Sequence, residues 1–96
     1  MTDDQKRQEE VNRAAHAEAV LKNPLVKEVL DRLEADIVKA WEGTNPRDQE
    51  ARERGWMFYV TVRKFRNQFL SYIETGKMAS VQLEEKRRFQ LFSRGK

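Results

Sequence analysis

Cysteine is missing from this 96-residue chain, and histidine, proline and glycine are scarce: one His, two Pro and four Gly. Without cysteine there is no disulfide framework and no thiolate metal site. The lone histidine, His16, sits among alanines with Glu18 two residues on, a spacing that does not bring both to one helix face, so no metal site is expected. There is no Ser–His pairing, no glycine-rich phosphate loop and no zinc-finger spacing. The chain therefore reads as a protein without a cofactor and not an enzyme. No apolar run approaches the roughly 20 residues that a membrane span needs. The start, Met1-Thr2-Asp3-Asp4, is acidic and lacks the apolar core of a signal peptide. A soluble, intracellular protein with no membrane partner is the expectation.

What is present is mostly charge. Only 39% of residues are hydrophobic, 36% are charged, and the mean hydropathy is −0.90. A chain of this length has room for one helical domain spanning 1–96 with a small core, and association is the common remedy for such a core. Net charge is +3, but its distribution says more. Residues 1–50 carry eight Lys/Arg against twelve Asp/Glu, a net −4, and residues 51–96 carry eleven against four, a net +7. An acidic half followed by a basic half favours antiparallel pairing, within the chain or between copies.

Along the chain, residues 1–13 are almost wholly polar and read as a disordered lead-in. Ala14 to Leu21 have helix propensity enough for a short N-terminal helix. Asn23-Pro24 is a helix start, an N-cap followed by proline in the first turn. From there Val26, Leu30, Leu33, Ile37 and Trp41 form one stripe, and Gly43 is placed to close the helix in a left-handed conformation. Asn45-Pro46 repeats the start signal, with Asp48 and Glu50 near the helix N-terminus. A third helix is predicted from about Pro46 to Thr75, with Gly76 as its stop. Residues 77–96 then form a basic tail segment, with a short helix over about Ser80–Phe92.

The third helix carries the strongest pattern. Ala51, Gly55, Phe58, Val62, Phe65, Phe69 and Tyr72 or Ile73 recur at steps of four and three, the spacing of a helix–helix seam. Trp56, Met57, Tyr59, Val60 and Leu70 widen it, and Trp41 is placed to pack over the gap left by Gly55. The expected seam or oligomer interface is thus Trp41, Gly55, Trp56, Phe58, Val62, Phe65, Phe69, Tyr72 and Ile73. Phe65, mid-ladder, is expected to be buried. Arg63, Lys64 and Arg66, with Lys86, Arg87 and Arg88 in the tail, are candidates for contact with a polyanion or an acidic partner. Their plainer reading is a solvated helix face that pairs with Asp31, Glu34 and Asp36 on the second helix. Phe89, Leu91 and Phe92 leave two options open for the tail: a free docking segment, or a cover for the core.

Four strings in order, Asn23-Pro24-Leu25, Ala40 through Asp48, Ile73 through Ala79 and Gln82 through Glu85, resemble short all-helical proteins of tailed bacteriophages and prophages. Such proteins are often encoded among head and DNA-packaging genes. The resemblance covers roughly residues 15–90 and rests on helix-boundary strings, with no catalytic or binding residues to carry over. It implies an accessory protein, in the host cytoplasm or in the virion, that contacts another phage or host protein.

Together these readings predict an all-α protein. It is a long antiparallel helical hairpin with a short N-terminal helix and a C-terminal tail helix, assembled as a homo-oligomer. Its expected work is non-enzymatic, by protein–protein contact in head assembly or genome packaging. Two other classes stay open: a small DNA-binding packaging or regulatory protein, and a phage inhibitor of a host enzyme.

Overall fold

The structure, a computed structural model, describes residues 1–94 and is all-α, with no strand among the described residues. Helix α1 spans Asp3–Lys22, α2 spans Pro24–Glu42 and α3 spans Gln49–Arg94. Residues 95 and 96, the end of the expected tail, lie outside the described residues.

The sequence reading is corrected first at the N-terminus. Residues 3–13 are helical rather than a lead-in. Thr2 and Gln5 form a reciprocal capping box: the Gln5 amide donates to Thr2 Oγ1 at 3.1 Å, and the Thr2 amide donates to Gln5 Oε1 at 2.9 Å. Asp3 and Asp4 in the first turn complement the helix dipole. With its alanines behind them, these residues make α1 as long as α2.

Helix α2 begins as its sequence indicates. Asn23 Oδ1 accepts from the amides of Leu25 at 2.9 Å and Val26 at 3.2 Å, with Pro24 in the first turn. Its end differs from expectation. Gly43 has φ −79° and ψ −4°, so it is not left-handed. Thr44 terminates the helix instead, donating both its amide (3.1 Å) and its hydroxyl (2.7 Å) to the Trp41 carbonyl. Asn45 then caps a turn, accepting the Arg47 amide at 2.9 Å. The N-cap of α3 is Asp48, whose Oδ1 accepts from the Ala51 amide at 3.1 Å. Helix α3 therefore starts three residues later than Pro46.

The largest correction concerns Gly76. It lies inside α3, buried, and the helix runs on through the expected tail to Arg94. A mid-helix glycine costs about 1 kcal/mol relative to alanine. Here the space is used: a Cβ at Gly76 would collide with the Ala14 side chain and stand 3.0 Å from the Glu10 carbonyl oxygen. Close approach of α1 is thus the reason for the glycine.

Packing divides the chain into two compact units. Unit 1 comprises residues 1–19 and 69–96, and unit 2 comprises residues 20–68. In unit 1, Asp4 meets Lys86, Arg7 meets Gln82 and Arg13 meets Tyr72. In unit 2, Asp31 and Glu34 meet Arg66, and Trp41 meets Gly55 and Tyr59. In both units, numbers that rise along the first helix fall along α3.

Candidate functional site

In its first half the inward face of α3 keeps Ala51, Gly55 and Val62 of the predicted ladder but takes Tyr59 and Arg66 in place of Phe58 and Phe65. Ala51, Gly55, Tyr59, Val62 and Arg66 turn inward, whereas Phe58 and Phe65 are 57% and 58% exposed. The expectation that Phe65 is buried is therefore corrected. Trp56 is also exposed, and Val62, Phe69, Tyr72 and Ile73 are half-buried. Trp41 does close over Gly55, its Cβ and Cδ1 both 3.1 Å from where a glycine Cβ would stand. Its ring lies 6.2 Å from that of Tyr59, tilted by 31°.

Arg66 holds an inward position because it brings its own counter-charges. Its guanidinium donates to Asp31 Oδ1 at 3.0 Å and lies 3.6 Å from Glu34 Oε2. Helix spacing alone gives no sign of this role, since a lone arginine on a seam is unfavourable until acidic partners are found. The acidic residues Asp31 and Glu34 were the available signal, and the ion pairing read from the sequence joins them to Arg66.

The six basic candidates divide between the units, Arg63, Lys64 and Arg66 in unit 2 and Lys86, Arg87 and Arg88 in unit 1. Arg66 is held by Asp31 and Glu34, and Lys86 donates to Asp4 Oδ2 at 2.8 Å. Arg88 approaches Glu84 at 3.8 Å, and the Arg63 guanidinium lies 5.8 Å from the Tyr59 ring centroid. Lys64 and Arg87 are exposed. The hydrogen bond from Lys86, reinforced by charge attraction from Lys86 and Arg7, holds the Asp4 carboxyl below its ordinary 3.8, against a smaller opposing desolvation. Phe89, Leu91 and Phe92 are exposed rather than folded onto a core.

Where α2 turns into α3, Trp41, Trp56, Pro46, Arg47 and Arg52 line an open groove of about 480 Å³. It contains no nucleophile–base pair. Among the described residues, no group of three or more His, Cys, Asp or Glu side chains is placed to hold a metal ion. No helix among them is long and apolar enough to cross a membrane.

The most unusual property is how little is covered. Among the described residues, Ala17, Leu30 and Ala79 are the buried hydrophobic residues, and no large side chain is fully buried. Compared with known proteins, the chain matches no family model, no curated protein and no solved structure.

Proposed function

We propose that this protein works by association rather than by catalysis: a non-enzymatic helical module whose antiparallel helix pairs join with further chains into a homo-oligomer. The observation that carries this reading is the apolar surface left exposed within each unit: Leu25, Trp56, Phe58 and Phe65 in unit 2 and Met78, Val81, Phe89 and Leu91 in unit 1 are each more than half exposed. Burying apolar surface contributes about 25 cal/mol per Å², so exposed Trp, Phe and Leu side chains at this density favour a partner. The opposed numbering of contacting residues supports the antiparallel arrangement.

The phage context comes from the resemblance of the helix-boundary strings. On that basis the module is an accessory protein of head assembly or genome packaging, in the host cytoplasm or the virion. The engagement of Arg66 with both Asp31 and Glu34 takes one basic candidate away from any DNA contact, while the exposed pairs of Lys86 and Arg88 leave those two able to exchange. Affinity capture with the full chain, from phage-infected and from uninfected lysates, tests the assignment. Recovery of head or packaging proteins only after infection is the expected result. Recovery of one host enzyme from both lysates would replace this reading with the inhibitor. Tight, salt-steep retardation of duplex DNA would replace it with a DNA-binding role.

A further inference from the structure

Within unit 1, the side of α3 that faces α1 is marked by Tyr72 under Arg13, Gly76 against Ala14 and the buried Ala79. Val81 follows Tyr72 by nine residues, about two and a half turns, which sets it on the opposite side of the helix. Steps of three and four from Val81 trace a stripe along that outer side. Lys77 and Glu74 stand four and seven residues before it, and Glu85 and Arg88 stand four and seven residues after it. Leu70 and Phe92 lie eleven residues away in the two directions. All of these side chains are exposed, Val81 by 57% and Phe92 by 84%. Among the described residues Arg88 approaches only Glu84 of its own helix, at 3.8 Å, and Glu74, Lys77 and Glu85 form no ion pair. The order along the stripe is apolar, acid, base, apolar, acid, base, apolar. Reversed end for end, it keeps every apolar position and inverts the sign of every charge.

We propose that this stripe docks antiparallel on the same stripe of a second copy, about a two-fold axis at Val81. The inference rests on the association reading above and names the surface and its occupant. A two-fold contact sets a surface against itself, so each residue before Val81 meets the one equally far after it in the other copy. Glu74 then meets the partner's Arg88, Lys77 meets the partner's Glu85, and Leu70 meets the partner's Phe92. Val81 packs on its own image. Met78 and Phe89, 60% and 73% exposed, lie along one flank of the stripe and widen the apolar contact. Charge selects this register over its neighbours, since opposed like charges are unfavourable and complementary ones fix the pairing. A parallel pairing in register would set Glu74, Lys77, Glu85 and Arg88 each against its own like. Moving the axis one turn, to Lys77 or to Glu85, would place like charges on the axis itself. The occupant follows from the same pattern: a helix that fits must carry these signs in reverse order, and the chain's own stripe does.

The test uses the full chain with Glu74→Arg and Arg88→Glu, made separately and together. Self-association is followed by light scattering across a dilution series, and helix content by circular dichroism. Wild type should associate, and each single variant should weaken association at least tenfold, because each sets two like-charge pairs across the axis. An equimolar mixture of the two single variants should associate as wild type does, since every opposed pair then has unlike charges. The chain carrying both changes should also associate alone, with its charges exchanged. Because the chain has no cysteine, Val81→Cys and Gln90→Cys each give a single thiol. Mild oxidation should join copies of the first by a disulfide at the axis and leave the second unjoined, a readout that stands even where a charge variant loses helix. Single variants that associate like wild type, a mixture that restores nothing, or no disulfide from Val81→Cys would overturn the stripe while leaving association intact. A wild type that stays at 11.4 kDa at every concentration would defeat both readings.

Discussion

Unit 1 buries small residues, Ala17, Gly76 and Ala79, and is laced at its edge by Asp4–Lys86 and Arg7–Gln82. Unit 2 instead sets Trp41 over Gly55, covers Leu30 and ties Arg66 to Asp31 and Glu34. The helices of unit 1 meet by close backbone approach, where dispersion between small groups is lost steeply with distance. Those of unit 2 meet through bulk: α2 turns Val26, Leu30 and Trp41 inward, where α1 offers Val11, Ala14 and Ala17. The contrast teaches that one long helix can use glycine for two purposes. At Gly76 the limit is the Ala14 methyl backed by the Glu10 carbonyl; at Gly55 it is the Trp41 side chain, which stands further off.

Enlarging Gly76 should therefore produce the greatest loss. Gly76→Leu is expected to destabilise by about 3 kcal/mol or more, at the upper end for overpacking, and to detach α1. Gly76→Ala should also destabilise, by about 2 kcal/mol, although helix propensity alone would give a gain of about 1 kcal/mol. Ala14→Gly in the same chain should recover part of that loss, because it removes the colliding methyl. Thermal melts and amide exchange along α1 read both effects. A stabilised Gly76→Ala variant would erase the distinction between the units.

Trp41→Ala comes next, at about 2 kcal/mol, below the range for a fully buried aromatic because Trp41 is only half-buried. Exchange should quicken in α2 and leave α1 protected. Arg66→Ala follows with about 1–2 kcal/mol, since it strands Asp31 and Glu34 while partial exposure softens the penalty. A double-mutant cycle with Asp31→Ala isolates the pair, and zero coupling would remove it from the account. Gly55→Ala should stay within about 1 kcal/mol of wild type, helix propensity offsetting the displacement of Trp41. Gly55 and Gly76 substitutions of equal effect would again merge the two units.

Much of this was readable beforehand. The Asn23-Pro24 start, the α2 stripe except at Leu33, where Glu34 turns inward instead, and the pairing of Trp41 with Gly55 all follow from propensity and periodicity. The misread positions share a cause: a local signal has two structural meanings. A glycine that stops a helix and one that admits a neighbouring helix look alike, so Gly76 was legible only once Ala14 was beside it. Phe58 and Phe65 outweigh Tyr59 and Arg66 in any apolar pattern, and so they drew the seam one residue aside. The Thr2–Gln5 capping box was in plain view but surrounded by charge. The outer stripe of α3 in unit 1 emerges only when the inward residues are known.

The smallest effect expected is at Asp4. Its carboxyl is held below 3.8 by Lys86, so it contributes to unit 1 fully above that pH and loses the contribution as pH falls through the lowered value. Asp4→Asn should lower the melting temperature slightly at pH 7 in low salt. The difference should vanish in strong acid, where the wild-type carboxyl is protonated, and shrink at high salt. A difference that persists unchanged in acid would mean that the Lys86 pair does not hold α1.

Association is the central claim, and sedimentation velocity of the unmodified chain across a concentration series tests it most directly. A dimer or larger species at micromolar concentration, dissociating on dilution, is the predicted result. A single 11.4 kDa species with full helix content at every concentration would contradict it.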